Sequence, residues 1–170
     1  MKRIAKFEKV SYEQFSQDWI DTFGETDREE LRKIYDNIKL PRRGTEKSAG
    51  YDFFSPLHIV LEPRKTMKIP TGIRVRIDNG WVLKCYPRSG QGFKYGLKMA
   101  NTVPIIDSDY FYSSNEGHIF CKLINDSSIG KTVDIPEGVG FMQGIFVEYG
   151  ITVDDDTIIK RDGGLGSTGM

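Results

Sequence analysis

A chain of 170 residues can bury one substantial core but is short for two full domains, so a single domain over 1–170 is expected. Lys plus Arg equals Asp plus Glu at 24 each, which removes any long-range electrostatic case for a nucleic-acid or membrane partner; an anionic ligand would have to be gripped locally. There is no apolar run of about 18 residues and no secretory pattern, and the two cysteines, Cys85 and Cys121, lie in apolar stretches; together these point to a reduced, cytoplasmic protein with buried free thiols.

Residues 4–10 read as a short strand. Ser11 followed by Gln14 forms a capping-box pair, Phe15 and Trp19 share a face one turn apart, and Gly24 suits a C-terminal cap, which predicts a first helix. Thr26 and Glu29 repeat the box. Leu31, Ile34, Tyr35 and Ile38 then recur at i, i+3, i+4 and i+7, and Pro41 ends this second helix. Beyond Ser48 no helical pattern of that strength appears. Segments 59–61, 67–77, 81–85, 118–124 and 144–147 are rich in β-branched and apolar residues and are separated by Gly, Pro, Asn and Asp. Asp78-Asn79-Gly80, with alternating apolar residues on both sides, predicts a hairpin. The expected body is mainly β, a sandwich, barrel or jelly roll, with a helical insert of about two helices over 11–38.

Polar clusters punctuate the strands. Ala49-Gly50-Tyr51-Asp52 places an acid at a strand start, which is also the composition of a plain turn. Pro87-Arg88-Ser89-Gly90 combines a planar fork of donors, a hydroxyl and an unobstructed backbone N–H, suited to an anion. In Asn101-Thr102-Val103-Pro104-Ile105-Ile106-Asp107-Ser108-Asp109-Tyr110, an apolar pair leads straight into Asp107, a carboxylate at the edge of buried structure that can serve as a general base or simply cap a turn. In the run 140–146, Gln143 is a lone amide in an apolar strand and must find partners. Finally, Arg-Asp-Gly-Gly-Leu-Gly-Ser-Thr-Gly-Met, 161–170, has the composition of a phosphate-binding loop but lacks the Lys of a Walker A sequence. His58 and His118 have no Cys or His at metal-ligand spacing, and no Gly-x-Ser-x-Gly elbow occurs.

Taken in order, AGYD, PRSG, NTVPIIDSDY, GFMQGIF and the 161–169 tail resemble the five motifs of the trimeric deoxyuridine triphosphatases (dUTPases), over about residues 38–170. The resemblance implies a distorted jelly roll (β-clip) that forms a homotrimer with sites between subunits and cleaves dUTP to dUMP and pyrophosphate, with Mg2+ carried by the triphosphate. It implies Asp107 as the base that activates water and Tyr110 as the ring beneath the deoxyribose. Asn101, Ile105 and Ile106 would line the base and sugar pocket. Arg88, Ser89 and Gly90 would contact phosphate, Gln143 would stand on the phosphate side, and Asp52 would reach the metal through water only. The segment 160–170 would be an arm closing over the triphosphate, with Arg161, Gly166, Ser167 and Thr168 at its phosphate end and Leu165 over the base.

The chain departs from the family pattern mainly on the base side. Pro104 replaces a Gly and has no N–H to offer a uracil carbonyl, and Leu165 replaces a stacking Phe. Phe111–Gly117 also forms a longer loop after Tyr110 than the family's. These departures keep other readings open: a related deoxynucleoside triphosphate pyrophosphatase with relaxed base selection, a dCTP-deaminase-like enzyme, or a nucleotide-gated protein-binding module.

Overall fold

Strand β1 (Ala5–Lys9) is followed by two helices, α1 (Tyr12–Phe23) and α2 (Arg28–Asn37), within the span expected for the insert. The structure, a computed structural model, describes residues 2–159 together with Arg161 and Gly163. Leu165, Gly166, Ser167 and Thr168 therefore lie outside the described residues.

Both helix starts differ in detail from the sequence expectation. Ser11 Oγ accepts the Gln14 N–H at 3.1 Å, but the other half of the box is supplied from far along the chain: the Ser11 N–H donates to Glu116 Oε2 at 2.8 Å, while Gln14 turns to Asp18. The second N-cap is Asp27, not Thr26. Its Oδ1 accepts from Glu29 N and Glu30 N at 2.9 and 3.1 Å, because a carboxylate is favoured at the positive end of the helix dipole. Gly24 caps α1 as expected, with its N–H on Ile20 O. Phe15, Trp19 and Leu31 face inward and join the same buried cluster as Phe53, Leu83 and Phe141, so the helices are part of the core rather than an appendage.

The remainder is a series of short antiparallel strands: β2 (Arg42–Arg43), β3 (Tyr51–Phe54), β4 (Ile59–Leu61), β5 (Thr66–Pro70), β6 (Ile73–Ile77) and β7 (Trp81–Pro87). Helix α3 (Ser89–Tyr95) intervenes before β8 (Leu97–Met99) and β9 (Ile105–Ile106). A 3-10 turn (Ser108–Tyr112) precedes β10 (Phe120–Asn125), β11 (Val133–Ile135) and β12 (Gly140–Glu148). The pairings are β1-β6, β5-β10-β8, β11-β4 and β2-β3-β12-β7-β9, which make the mainly β, distorted jelly roll.

Two strand expectations change, and one helix is unexpected. The run 67–77 divides into β5 and β6 at Thr71-Gly72. Asp78-Asn79-Gly80 does turn the chain, with Trp81 N on Asp78 O at 3.2 Å, but the strands it joins do not pair with each other. β6 pairs with β1, and β7 with β12 and β9, because turn chemistry fixes only the reversal while buried faces select partners. Helix α3 was invisible to pattern reading because Gly90 and Gly92 are poor helix formers; buried Tyr95 and the Gly96 cap hold it in place.

Gly72 is where the helices meet the sheets. Its φ is +71°, and a Cβ there would lie 2.3 Å from Ile38 Cδ1 and 3.3 Å from Phe15 Cδ2. Gly72→Ala therefore combines left-handed strain with overpacking and is expected to lower unfolding free energy by about 2 kcal/mol or more, measured by denaturant titration.

Candidate active site

One half of the site is a row across the five-stranded sheet. Arg42 stands opposite Asp52, Asp52 opposite Gln143, and Gln143 opposite Tyr86. Directly paired residues project from the same face, so the ladder alone places Arg42, Asp52 and Gln143 side by side. Gly50 is small for a reason of space: a Cβ at that position would sit 2.6 Å from Gln143 Oε1. Gln143 Nε2 donates to Pro87 O at 3.3 Å, which ties the amide to the start of the Arg88 loop.

Arg88 leaves the end of β7 and returns over this row. Its Nε lies 3.1 Å from Asp52 Oδ1, and its Nη1 donates to Gly140 O at 3.3 Å. Both partners of the ion pair are partly exposed, so the pair contributes about 0–1 kcal/mol, and an anionic ligand can recruit the guanidinium at little cost. Ser89 and Gly90 open α3, whose first N–H groups have no intrahelical acceptor. The cluster suited to an anion thus leads into a short helix.

The other half lies beyond β9. Lys84 pairs with Ile105 and Leu83 with Ile106, leaving Ile105 exposed and Ile106 buried, and Asp107 follows at once. Asp107 precedes the 3-10 turn but makes no side-chain cap bond to it. Its partner is Arg161, which donates from Nη2 to Asp107 Oδ2 at 2.8 Å and from Nε to Asp109 Oδ1 at 3.0 Å. Burial pushes the Asp107 carboxyl above its ordinary range; Arg161 opposes that shift and Asp109 adds to it. The Arg161 guanidinium also lies 5.6 Å from the centroid of the Tyr110 ring. Tyr110 is buried, its hydroxyl donating to His118 O at 2.7 Å and accepting from Asn115 Nδ2 at 2.8 Å, and burial raises its pKa. Asn101 is exposed in the turn after β8.

The sequence-predicted residues therefore fall into two groups. Asp52, Arg88, Ser89, Gly90 and Gln143 gather at one end of β7; Ile105 and Ile106 lie against its middle, and Asp107, Tyr110 and Arg161 gather beyond them. Continuing the β9 register places Asp107 opposite Val82, six residues before Arg88, a separation of about 20 Å along the strand. The sequence alone assigned no role to Arg42 or Asn115, and gave Asp109 only that of a turn partner of Asp107. Asp109 was the most accessible of these, because two acids flanking a serine after an apolar pair imply a shared cation.

The family model described as dUTPase matches residues 36–169, which leaves β1, α1 and most of α2 outside it. The chain is 38% identical over 135 residues to the deoxyuridine 5'-triphosphate nucleotidohydrolase of Lactococcus lactis, covering 78% of this chain and 89% of the relative. The corresponding protein of Tolumonas auensis is 34% identical over 143 residues, covering 81% and 91%. Among solved structures, the dUTPase from Streptococcus mutans superposes with a TM-score of 0.62 at 29% identity, covering 86% of this chain and 97% of that one. The dUTPase from phage phi11 of S. aureus shares the fold, with a TM-score of 0.63 at 21% identity over 92% and 97%. With its polar clusters all inside the matched region, the chain belongs to the dUTPase family.

Proposed function

We propose that the chain hydrolyses dUTP to dUMP and pyrophosphate, with Asp107 as general base. The observation that carries this reading is the match over 36–169, which includes all five polar clusters. Water adds through its oxygen to the α-phosphorus, its proton passes to the Asp107 carboxylate, and the bond to the bridging oxygen breaks so that pyrophosphate leaves. A carboxylate raised by burial is a stronger proton acceptor than an exposed one, which supports Asp107 in this role.

On the phosphate side, Arg88, Ser89, Gly90 and Gln143 contact the anionic chain. On the sugar and base side, Tyr110 lies beneath the deoxyribose, and Asn101, Ile105 and Ile106 line the pocket. Arg161 with Leu165, Gly166, Ser167 and Thr168 forms the closing arm, exchanging its hold on Asp107 and Asp109 for the terminal phosphate. Mg2+ carried by the triphosphate would supply neutralisation of its charge. Asp52, a single partly exposed carboxylate, suits contact with that ion through water; no group of three His, Cys, Asp or Glu converges among the described residues, so the donor set fits an ion carried by substrate.

Arg88 and Asp107 must act on neighbouring phosphate groups, yet stand far apart in one chain; this supports a homotrimer whose sites form between copies. The buried free thiols of Cys85, pushed up to about 12 by burial, and Cys121, pushed higher still, support a reduced cytoplasmic setting. No helix among the described residues is long and apolar enough to cross a membrane. Pro104 is buried, its C=O held by Cys85 N at 2.9 Å, and it has no N–H for a uracil carbonyl, which favours relaxed base selection.

The direct test is incubation with Mg2+ and dUTP, dCTP, dTTP, dATP or dGTP, scored for pyrophosphate and monophosphate. We expect turnover of dUTP with discrimination against dCTP or dTTP below about 10⁴-fold in kcat/KM; a larger ratio rejects the loose-base reading, and release of ammonia rejects the hydrolytic one. Asp107→Asn should retain nucleotide binding and lose about 10²–10⁴-fold in kcat. The raised Asp107 pKa places the acid limb of kcat/KM above that of an ordinary carboxylate, with activity lost as pH falls through it. Asp109→Asn removes a like charge and should move that limb to lower pH, and Arg161→Ala removes the opposing cation and should move it to higher pH.

A further inference from the structure

Helix α1 lies before the matched family region, yet it is bonded to the loop that carries Tyr110. Glu116 accepts from both Ser11 N, at 2.8 Å, and Ser11 Oγ, at 2.7 Å, so the α1 N-cap and the loop share one carboxylate. About two turns on, Asp18 Oδ2 bonds the Nδ1 of His118, a residue with no exposed surface. The other ring nitrogen, Nε2, accepts the Gly72 N–H at 2.7 Å, which puts the ring proton on Nδ1, facing Asp18. The imidazole is thus held in one tautomer and one orientation by a helix on one side and a strand connection on the other.

One bond passes that fixed position directly to Tyr110, and two more hold Tyr110 within the same loop. His118 O accepts the Tyr110 hydroxyl, Asn115 Nδ2 donates to the same hydroxyl, and Ser113 Oγ donates to Tyr110 O at 2.7 Å. Tyr110 N in turn donates to Asp107 O at 3.2 Å. Residues 113–119 belong to no helix or strand, so these contacts, with Arg74 lying 3.6 Å from the Phe111 ring centroid and donating to Phe111 O, determine the path of the loop.

The geometry points to Asp18 and His118 as positioning residues: α1 acts as a strut that sets the Tyr110 ring, and through it Asp107, for selection of deoxyribose and attack by water. This rests on the roles proposed above for Tyr110 and Asp107. A strut missing from the family model gives this chain a means of shaping its sugar pocket that the core motifs do not supply.

The test compares Asp18→Ala and Asp18→Asn with wild type in the full chain. Hydrogen exchange is expected to quicken about tenfold or more at amides 108–118 in Asp18→Ala, with β12 amides unchanged. The kcat/KM ratio of dUTP over UTP should fall about tenfold, more through kcat than KM, and Asp18→Asn, which still offers an oxygen to His118 Nδ1, should recover most of both. Unchanged exchange at 108–118, uniform acceleration across the sheet, or local loosening with an unaltered dUTP/UTP ratio overturns the proposal. Should Asp18→Ala not fold, Asp18→Asn is read by the same criteria with a smaller shift in the same direction. If wild type cleaves no deoxynucleotide, the hydrolase reading fails, while the exchange comparison still decides whether α1 holds the loop.

Discussion

Gly144 of β12 faces Tyr51 on one edge and Cys85 on the other, and that two-sided pairing sets where the site's side chains stand. The register with β3 shifts between Gly140 and Met142, a local irregularity that lets Phe141 and Met142 both be buried while Gln143 still aligns with Asp52. A slip of one residue would send Gln143 to the opposite face and break the row of Arg42, Asp52 and Gln143. The same ladder extends through β7 to β9, so one sheet locates both the anion cluster and the carboxylate cluster. Rigid pairing in the middle is what allows the loops at either end to carry chemistry.

The two clusters are built on different energetic principles. Around Arg88 the contacts are partly exposed and weak, so a ligand with more negative charge than Asp52 can displace them. Around Asp107 and Tyr110 burial dominates, shifting both groups upward before any ligand arrives. Arg161 mediates on that side: in contact with two carboxylates, it keeps Asp107 from rising as far as burial and Asp109 alone would take it. Loss of the Arg161 contact would therefore leave Asp107 more basic.

Much of this was legible in the residues. The 3.6-residue spacing of Phe15, Trp19, Leu31, Ile34 and Tyr35 gave both helices, since a single buried stripe leaves a periodic trace. The strand segments were also readable, because β-branched runs between turn residues are a local signal. What could not be read was partnership. Asp78-Asn79-Gly80 looks like a hairpin in any window of ten residues, and only the distant faces of β1 and β12 show that it joins two sheets. Helix α3 was hidden by Gly90 and Gly92, and the contacts of Ser11 with Glu116 and of Asp18 with His118 span about a hundred residues, beyond the reach of pattern reading. At the site, residue types were legible and their grouping was not: nothing local separates Arg88 from Asp107 by the length of β7.

That separation has a genetic reading. Two defective chains, one carrying Arg88→Ala and the other Asp107→Asn, are damaged at two separate places on the β7-β9 pair, after β7 in one and after β9 in the other. With sites formed between copies, as proposed, an undamaged end of one chain would meet an undamaged end of the other and rebuild an intact pocket. Co-expressed null alleles that complement each other would then be a natural property of this architecture, whereas two nulls at the same end could never rescue one another.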